Sequence, residues 1–258
     1  MNLLIGLFAW SDITKLQVPE GFEIQEFVTE IDDARQMVEG SNFIFVGTKS
    51  AGNVYAIDKN NANKVSVILT ELDMPTGVAL KNGDLYIAET DTIHVVKNIE
   101  EKLSSNKEIT TEIFFSDLPR KTMWNPVTKA WHGWKWIDFG PEGALYISEG
   151  VPCNVCDEDD PRYGTILKLE NNNLSIFADG VRNSVGFDWH PVSQEMYFTD
   201  NGRDWMGDDI PPCELTRVVS PGDHFGFPFI HGKNIPDDKF TAPRDFTFSQ
   251  PVWEFQAH

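Results

Sequence analysis

At 258 residues, 41% of them apolar, the chain has hydrophobic material for one large domain or two small ones with a real core. Its 40 acidic residues against 21 basic ones leave a formal net charge of −19, which repels phosphate backbones and anionic lipid heads. Nucleic acid and membrane surfaces are thereby disfavoured as partners, a solvated acidic surface being the plainer meaning. No run approaches the ~18 consecutive apolar residues of a membrane span.

The chain opens on MNLLIGLFAW, with no Lys or Arg ahead of the apolar run and no clear small-residue cleavage site. Residues 1–18 are read as an N-terminal segment, either the remnant of an export signal or an ordinary strand. From residue 19 onward the apolar runs are short, alternate with polar residues and stop at Gly, Pro, Asn or Asp, which predicts a mostly β chain.

The runs repeat. FIFVG begins at residue 43, LYIAE at 85, LYISE at 145 and MYFTD at 196, at intervals of 42, 60 and 51 residues. Each follows a turn (GSN, KNGD, PEGA, PVSQE) and precedes a further strand (GNVYAI, DTIHVV, GTILKL, ELTRVV). A fourth strand comes next in KVSVILTEL, TEIFFSDL and LSIFADGV, then the first strand of the following unit in TGVAL, HGWKWIDF and SVGFDWH. Four antiparallel strands in each such unit predict the blades of a β-propeller. Four blades fit over residues 20–230, and PVWEFQAH reads as the opening of a fifth. A ring left partial would expose strand edges, so the expectation is a propeller shortened at its C-terminus, spanning residues 19–258.

Functional residues of a propeller belong on the face where loops enter and leave the innermost strands. Two loops there exceed what a hairpin needs, EGVPCNVCDEDDPRYG and DNGRDWMGDDIPPCE. The first holds Cys153 and Cys156, whose CxxC spacing fits a disulfide or plain thiols better than zinc; with Cys213 the count is odd. No CxxCH haem motif is present, Asp157 following Cys156. His132 precedes the inner strand of the third unit and is either a general base or a packed residue among tryptophans. Arg182 and Asn183 open the next inner strand, where an Arg either holds an anionic ligand or clamps two blades. TDNGRD turns at Gly202 and exposes main-chain carbonyls, ligands of the kind Ca²⁺ takes.

The ordered set ARQM, HGWKWIDFGPEGALYISEG, CNVCD, GVRNSVGFDWHP, TDNGRD, PPCELTRV and DHFGFPFIHG resembles the soluble quinoprotein glucose/sorbosone dehydrogenase family over about Pro19 to His258. That resemblance implies a six-bladed propeller using pyrroloquinoline quinone (PQQ) and Ca²⁺ to oxidise a sugar or polyol hydroxyl, in the periplasm or outside the cell. It implies His132 as catalytic base, Arg182 and Asn183 as PQQ contacts, and the carbonyls of Gly202 and Arg203 as holders of the Ca²⁺ bound with PQQ. Electrons would pass to a separate acceptor.

Two departures stand out. Trp131 occupies the position where the best-known soluble glucose dehydrogenases carry Asp, and CNVCD differs from their loop, which places the chain nearer the sorbosone-type branch. The family's further PQQ contacts, a Lys and Arg residues of the last two blades, have no counterpart before His258. Alternative readings are a non-catalytic propeller binding module or inactive fragment, and a calcium-dependent lactonase or hydrolase, which would need Asp and Asn at matching positions of each inner strand.

Overall fold

The computed structural model describes residues 13–120 and 132–256, so the apolar N-terminal stretch and Trp131 lie outside the described residues. Local hairpin chemistry builds its sheets. KNGD is representative: Lys81 pairs with Asp84 across Asn82 and Gly83, whose φ angles of 53° and 84° match the positive-φ turn that suits the strand twist.

The first sheet comprises β1 (Ala34–Glu39), β2 (Phe43–Thr48), β3 (Val54–Asp58) and β4 (Asn61–Leu69), paired in that order. The second repeats it with β5 (Gly77–Lys81), β6 (Asp84–Ala88), β7 (Ile93–Val96) and β8 (Glu112–Phe115), interrupted by the short helix α1 (Ile99–Ser104). Next come β9 (Ile137–Phe139), β10 (Leu145–Glu149), β11 (Thr165–Glu170) and β12 (Asn173–Asp179), then β13 (Ser184–Trp189), β14 (Met196–Asp200) and β15 (Cys213–Arg217). These four sheets form the four-blade propeller arrangement that the repeat predicts, with β1, β5, β9 and β13 innermost.

Beyond β15 the structure departs from the expectation. Strand β16 (Asp223–His224) adds in parallel to the outer edge of β12, and β17 (Ile230–His231) pairs with β18 (Ile235–Pro236). The segment PVWEF, expected to open a fifth blade, instead supplies β19 (Trp253–Phe255), which pairs with β15 as the outermost strand of the fourth sheet. The physical reason is the bare edge of β15, whose unpaired backbone groups take the next extended segment that can reach them.

Apolar side chains fill the spaces between successive blades. Phe45, Val54, Leu85 and Ile87 pack between the first two, Ile93, Ile137, Ile147 and Leu167 between the next two, and Tyr146, Phe187 and Phe198 between the last two. The third sheet is covered on both faces, so all five residues of its second strand, β10, are buried. Truncating one of these side chains, Ile147 for example, is expected to cost about 2–5 kcal/mol.

Polar side chains join the inner strands. The Gln36 carboxamide donates through Nε2 to the Ile137 carbonyl at 2.7 Å, while its Oε1 accepts from the N–H groups of Val78 (3.2 Å) and Ile137 (3.1 Å). Thr76 Oγ1 likewise donates to the carbonyl of Lys135 and accepts its N–H, both at 2.9 Å. Three blades are thus pinned together around the channel.

Candidate functional site at the channel mouth

Residues entering β9 and β13 and leaving β10 and β14 meet on one face. His132 is buried there, its backbone at φ 53°, and its Nδ1 lies 2.9 Å from the Val151 carbonyl. A carbonyl can only accept, so Nδ1 carries the hydrogen and Nε2 is the basic nitrogen of the neutral ring. Trp134 meets this imidazole edge to face, with ring centroids 5.8 Å apart.

Gly150 explains how the chain comes so close. A Cβ at that position would stand 2.6 Å from His132 Cβ, 2.7 Å from its carbonyl oxygen and 3.2 Å from Asn183 Oδ1. Absence of a side chain is what lets His132 and Asn183 flank the end of β10.

Asp200, at the end of β14, fixes the Arg182-Asn183 backbone. Its two carboxylate oxygens accept the N–H groups of Arg182 (2.8 Å) and Asn183 (2.6 Å). Burial pushes its pKa up to about 6, against the pull of these N–H groups and the Arg182 charge.

The Arg182 guanidinium is turned into the protein. Nε donates to the Asn154 carbonyl (2.8 Å), Nη2 to Asn154 Oδ1 (2.9 Å), and Nη1 to the carbonyls of Asn201 (3.1 Å) and Gly202 (2.8 Å). Nη2 also lies 3.9 Å from the Asp204 carboxylate. Burial presses its pKa down, yet a guanidinium stays charged at any ordinary pH. Of the two roles the sequence left open, this geometry is that of the clamp. It also bears on calcium: the cation that the Asn201 and Gly202 carbonyls meet is the guanidinium, and among the described residues no group of three His, Cys, Asp or Glu side chains is placed to hold a metal.

Arg203 is buried as well. It forms an ion pair with the buried Asp237 and donates to Asp238 Oδ1 at 2.8 Å, while His231 Nε2 lies 2.8 Å from Asp237 Oδ2. Although burial opposes ionisation, hydrogen bonds from His231, the Lys239 N–H and Arg203 hold the Asp237 pKa down to about 2. The side chain therefore moors the TDNGRD turn to the β17–β18 hairpin.

Two further buried carboxyls line this end of the sheets. Glu149 pairs with Lys135 at 2.8 Å, both side chains fully buried, and burial raises its pKa to about 7 against the Lys135 charge; its Oε2 has no hydrogen-bond partner. Glu214 accepts the Gly232 N–H at 2.6 Å, and burial followed by the Asp200 charge raises its pKa to about 8.

His132, Arg182, Asn183 and the Gly202-Arg203 turn, each singled out in the sequence, thus share one face. Sequence reasoning missed Asn154, Asp200 and Asp237. Asp200 had a signal, as the last residue of the MYFTD strand directly before the marked turn; Asn154 had only its place between the two cysteines. Those cysteines form a disulfide, Cys153–Cys156, and Cys213 lies outside it.

No protein-family model matches the chain. An uncharacterized protein of Borreliella burgdorferi is 34% identical to it over 278 residues, covering all of this chain and 70% of that one. Among solved structures, the iodide structure of a Trichoderma reesei carbohydrate-active enzyme of family AA12 superposes with a TM-score of 0.73 at 17% identity, covering 93% of this chain and 72% of that one. The PQQ-bound aldose sugar dehydrogenase of Streptomyces coelicolor superposes with a TM-score of 0.67 at 17% identity, covering 90% and 71%. At such identities the likeness establishes the fold.

Proposed function

Since the chain belongs to the family of the Borreliella burgdorferi protein and carries the fold of PQQ-bound sugar dehydrogenases, we propose that it oxidises a hydroxyl of a sugar or related polyol with PQQ as cofactor. The observation that supports this most is the tautomer of His132. Its Nδ1–H is held by the Val151 carbonyl, which makes Nε2 the ring nitrogen that would take the substrate hydroxyl proton. That same carbonyl stabilises the imidazolium once it forms.

The donor set at the channel mouth fits an anionic, planar group. Asn183 stands beside His132, the buried Arg182 charge lies behind it, and Trp134 offers an aromatic face. Bound PQQ would supply the acceptor for the hydride leaving the substrate carbon. Asn183 would contact it directly, and Arg182 would act through its field and by holding the 201–204 turn. No step is assigned to calcium. An export route to the periplasm or beyond accords with the Cys153–Cys156 disulfide, which persists in oxidising compartments.

A second reading has one observation in its favour. Arg182 directs its donors to Asn154, Asn201 and Gly202, as a propeller binding module without catalysis would also have it. Titration with PQQ, followed by reduction of an artificial electron acceptor with a panel of aldoses, separates the two. Under the dehydrogenase reading His132→Ala lowers turnover by about 10² or more with PQQ still bound. Failure of the protein to bind PQQ at about 10 μM would favour the binding module, since a functional cofactor site is worth at least ~7 kcal/mol.

A further inference from the structure

The strands that lead to His132 and to its carbonyl partner stop pairing through their backbones just before they reach them. In the β9–β10 ladder Phe139 faces Leu145 and Ile137 faces Ile147, and the Ser148 N–H donates to the Trp136 carbonyl at 2.9 Å. One step further in the same register Lys135 stands opposite Glu149, and there the side chains make the link, Nζ to Oε1 at 2.8 Å. His132 lies just ahead of Lys135 in the chain and Val151 just beyond Glu149, with Nδ1 of the one 2.9 Å from the carbonyl of the other. The ion pair therefore ties the end of the ladder to the His132–Val151 contact.

The stems on either side of this tie are themselves fixed. Thr76 Oγ1 holds the N–H and the carbonyl of Lys135, each at 2.9 Å, and the Val151 N–H donates to the Arg182 carbonyl at 3.0 Å. Gly150 fits between them so closely that a Cβ there would stand 2.6 Å from the His132 Cβ. A change in the gap between the two strand ends is thus transmitted straight to the imidazole.

For stability alone, an ion pair is a poor filling at this place. Residues 135, 137 and 139 share a face, as do 145, 147 and 149, and on these faces Ile137, Phe139, Leu145 and Ile147 pack among apolar side chains. Lys135 and Glu149 continue them with two fully buried side chains, and Glu149 Oε2 has no hydrogen-bond partner. Stripping water from two charges for one bond gains little over an apolar pair of similar volume. What the charged bond adds is a fixed distance and register.

We infer that Lys135 and Glu149 are positioning residues for His132: their bond sets the separation of the strand ends at which Nδ1–H meets the Val151 carbonyl, and so makes Nε2 the basic nitrogen. The consequence for turnover rests on the dehydrogenase reading, whereas the consequence for the tautomer does not.

Proton–nitrogen correlation NMR of protein with isotope-labelled histidine, above about pH 8 where imidazoles are neutral, reads the tautomer directly. The His132 signal is the one lost in His132→Gln. Lys135→Met combined with Glu149→Gln keeps both chain lengths and leaves no unpaired charge buried, so its circular dichroism should stay native. In this double variant His132 should pass from the Nδ1–H form to a mixture, its tautomer ratio changing about fivefold or more, as the weakening of one hydrogen bond allows. The His94, His190 and His224 signals should stay in place. Turnover of an aldose should fall about tenfold with PQQ affinity unchanged.

A folded double variant whose His132 tautomer is unaltered overturns the inference. Equal movement of all the histidine signals does so too, because the pair would then be a general brace, and so does a double variant that fails to fold. If PQQ does not bind at all, the dehydrogenase reading fails while the tautomer comparison still decides what the pair positions.

Discussion

Replacing Glu214 by Gln should make the protein more stable above about pH 4.5, by an amount that grows up to about pH 8, and leave it nearly unchanged at lower pH. The carboxyl is buried, and burial plus the neighbouring Asp200 charge raises its pKa from 4.5 to about 8. In the unfolded chain the group is ionised throughout the range pH 6–9, whereas in the folded chain it holds its proton until about pH 8. The folded state therefore binds more protons, and stability falls as pH rises towards the folded pKa. At ~1.4 kcal/mol per pH unit over about two units, the loss between pH 6 and 9 comes to about 2–3 kcal/mol. Glutamine retains the Oε1 that accepts the Gly232 N–H but cannot ionise. Urea unfolding of both proteins at pH 6 and pH 9 should show the variant ahead by about 2 kcal/mol at the lower pH, where the unfolded carboxyl is already ionised, and by about 4–5 kcal/mol at the higher. Parallel pH profiles for the two proteins would refute the reasoning, for they would mean that Glu214 is already ionised at pH 6 or reaches solvent.

Gly150→Ala forces a methyl against His132 and Asn183; turnover should fall about tenfold or more while circular dichroism stays native, at a stability cost of about 1–3 kcal/mol. Lys135→Met leaves Glu149 buried without its partner and should cost about 3–5 kcal/mol in urea unfolding, most of which Lys135→Met combined with Glu149→Gln should restore. Asn154→Ala removes the Oδ1 that accepts both Arg182 Nη2 and the Asp204 N–H. Expected are a loss of about 2–3 kcal/mol and faster proteolysis within residues 201–212, read by limited digestion and mass spectrometry.

Hairpin order was legible in the sequence because it is local. Turns such as KNGD and PEGA sit between the strands they join, so the first three strands of every blade could be placed from the repeat alone. Strand β19 was misread because its partner β15 is separated from it by a long irregular stretch, and nothing local in PVWEF distinguishes an outer strand from an inner one. At the site, positions were readable and partners were not. The sequence put Arg182 at the channel mouth, but the atoms that hold it are chiefly backbone carbonyls and one amide, and carbonyls carry no residue signature. Asp237 was equally silent, since its tie to Arg203 and His231 depends on how the β17–β18 hairpin folds back.

The Gln36 carboxamide sets a condition on how the molecule is made. Its partners Ile137 N–H and C=O lie 101 residues further along the chain. During synthesis at ~5–20 residues per second, that stretch takes about 5–20 s to emerge. Over this interval the first blade can form its hairpins, yet its innermost strand carries an amide group with its later partners still unmade. Inner-strand assembly is thus a late event tied to translation past the third blade, and a Gln36→Leu chain, freed of that polar group, should gather its early blades sooner while losing the register that the amide imposes.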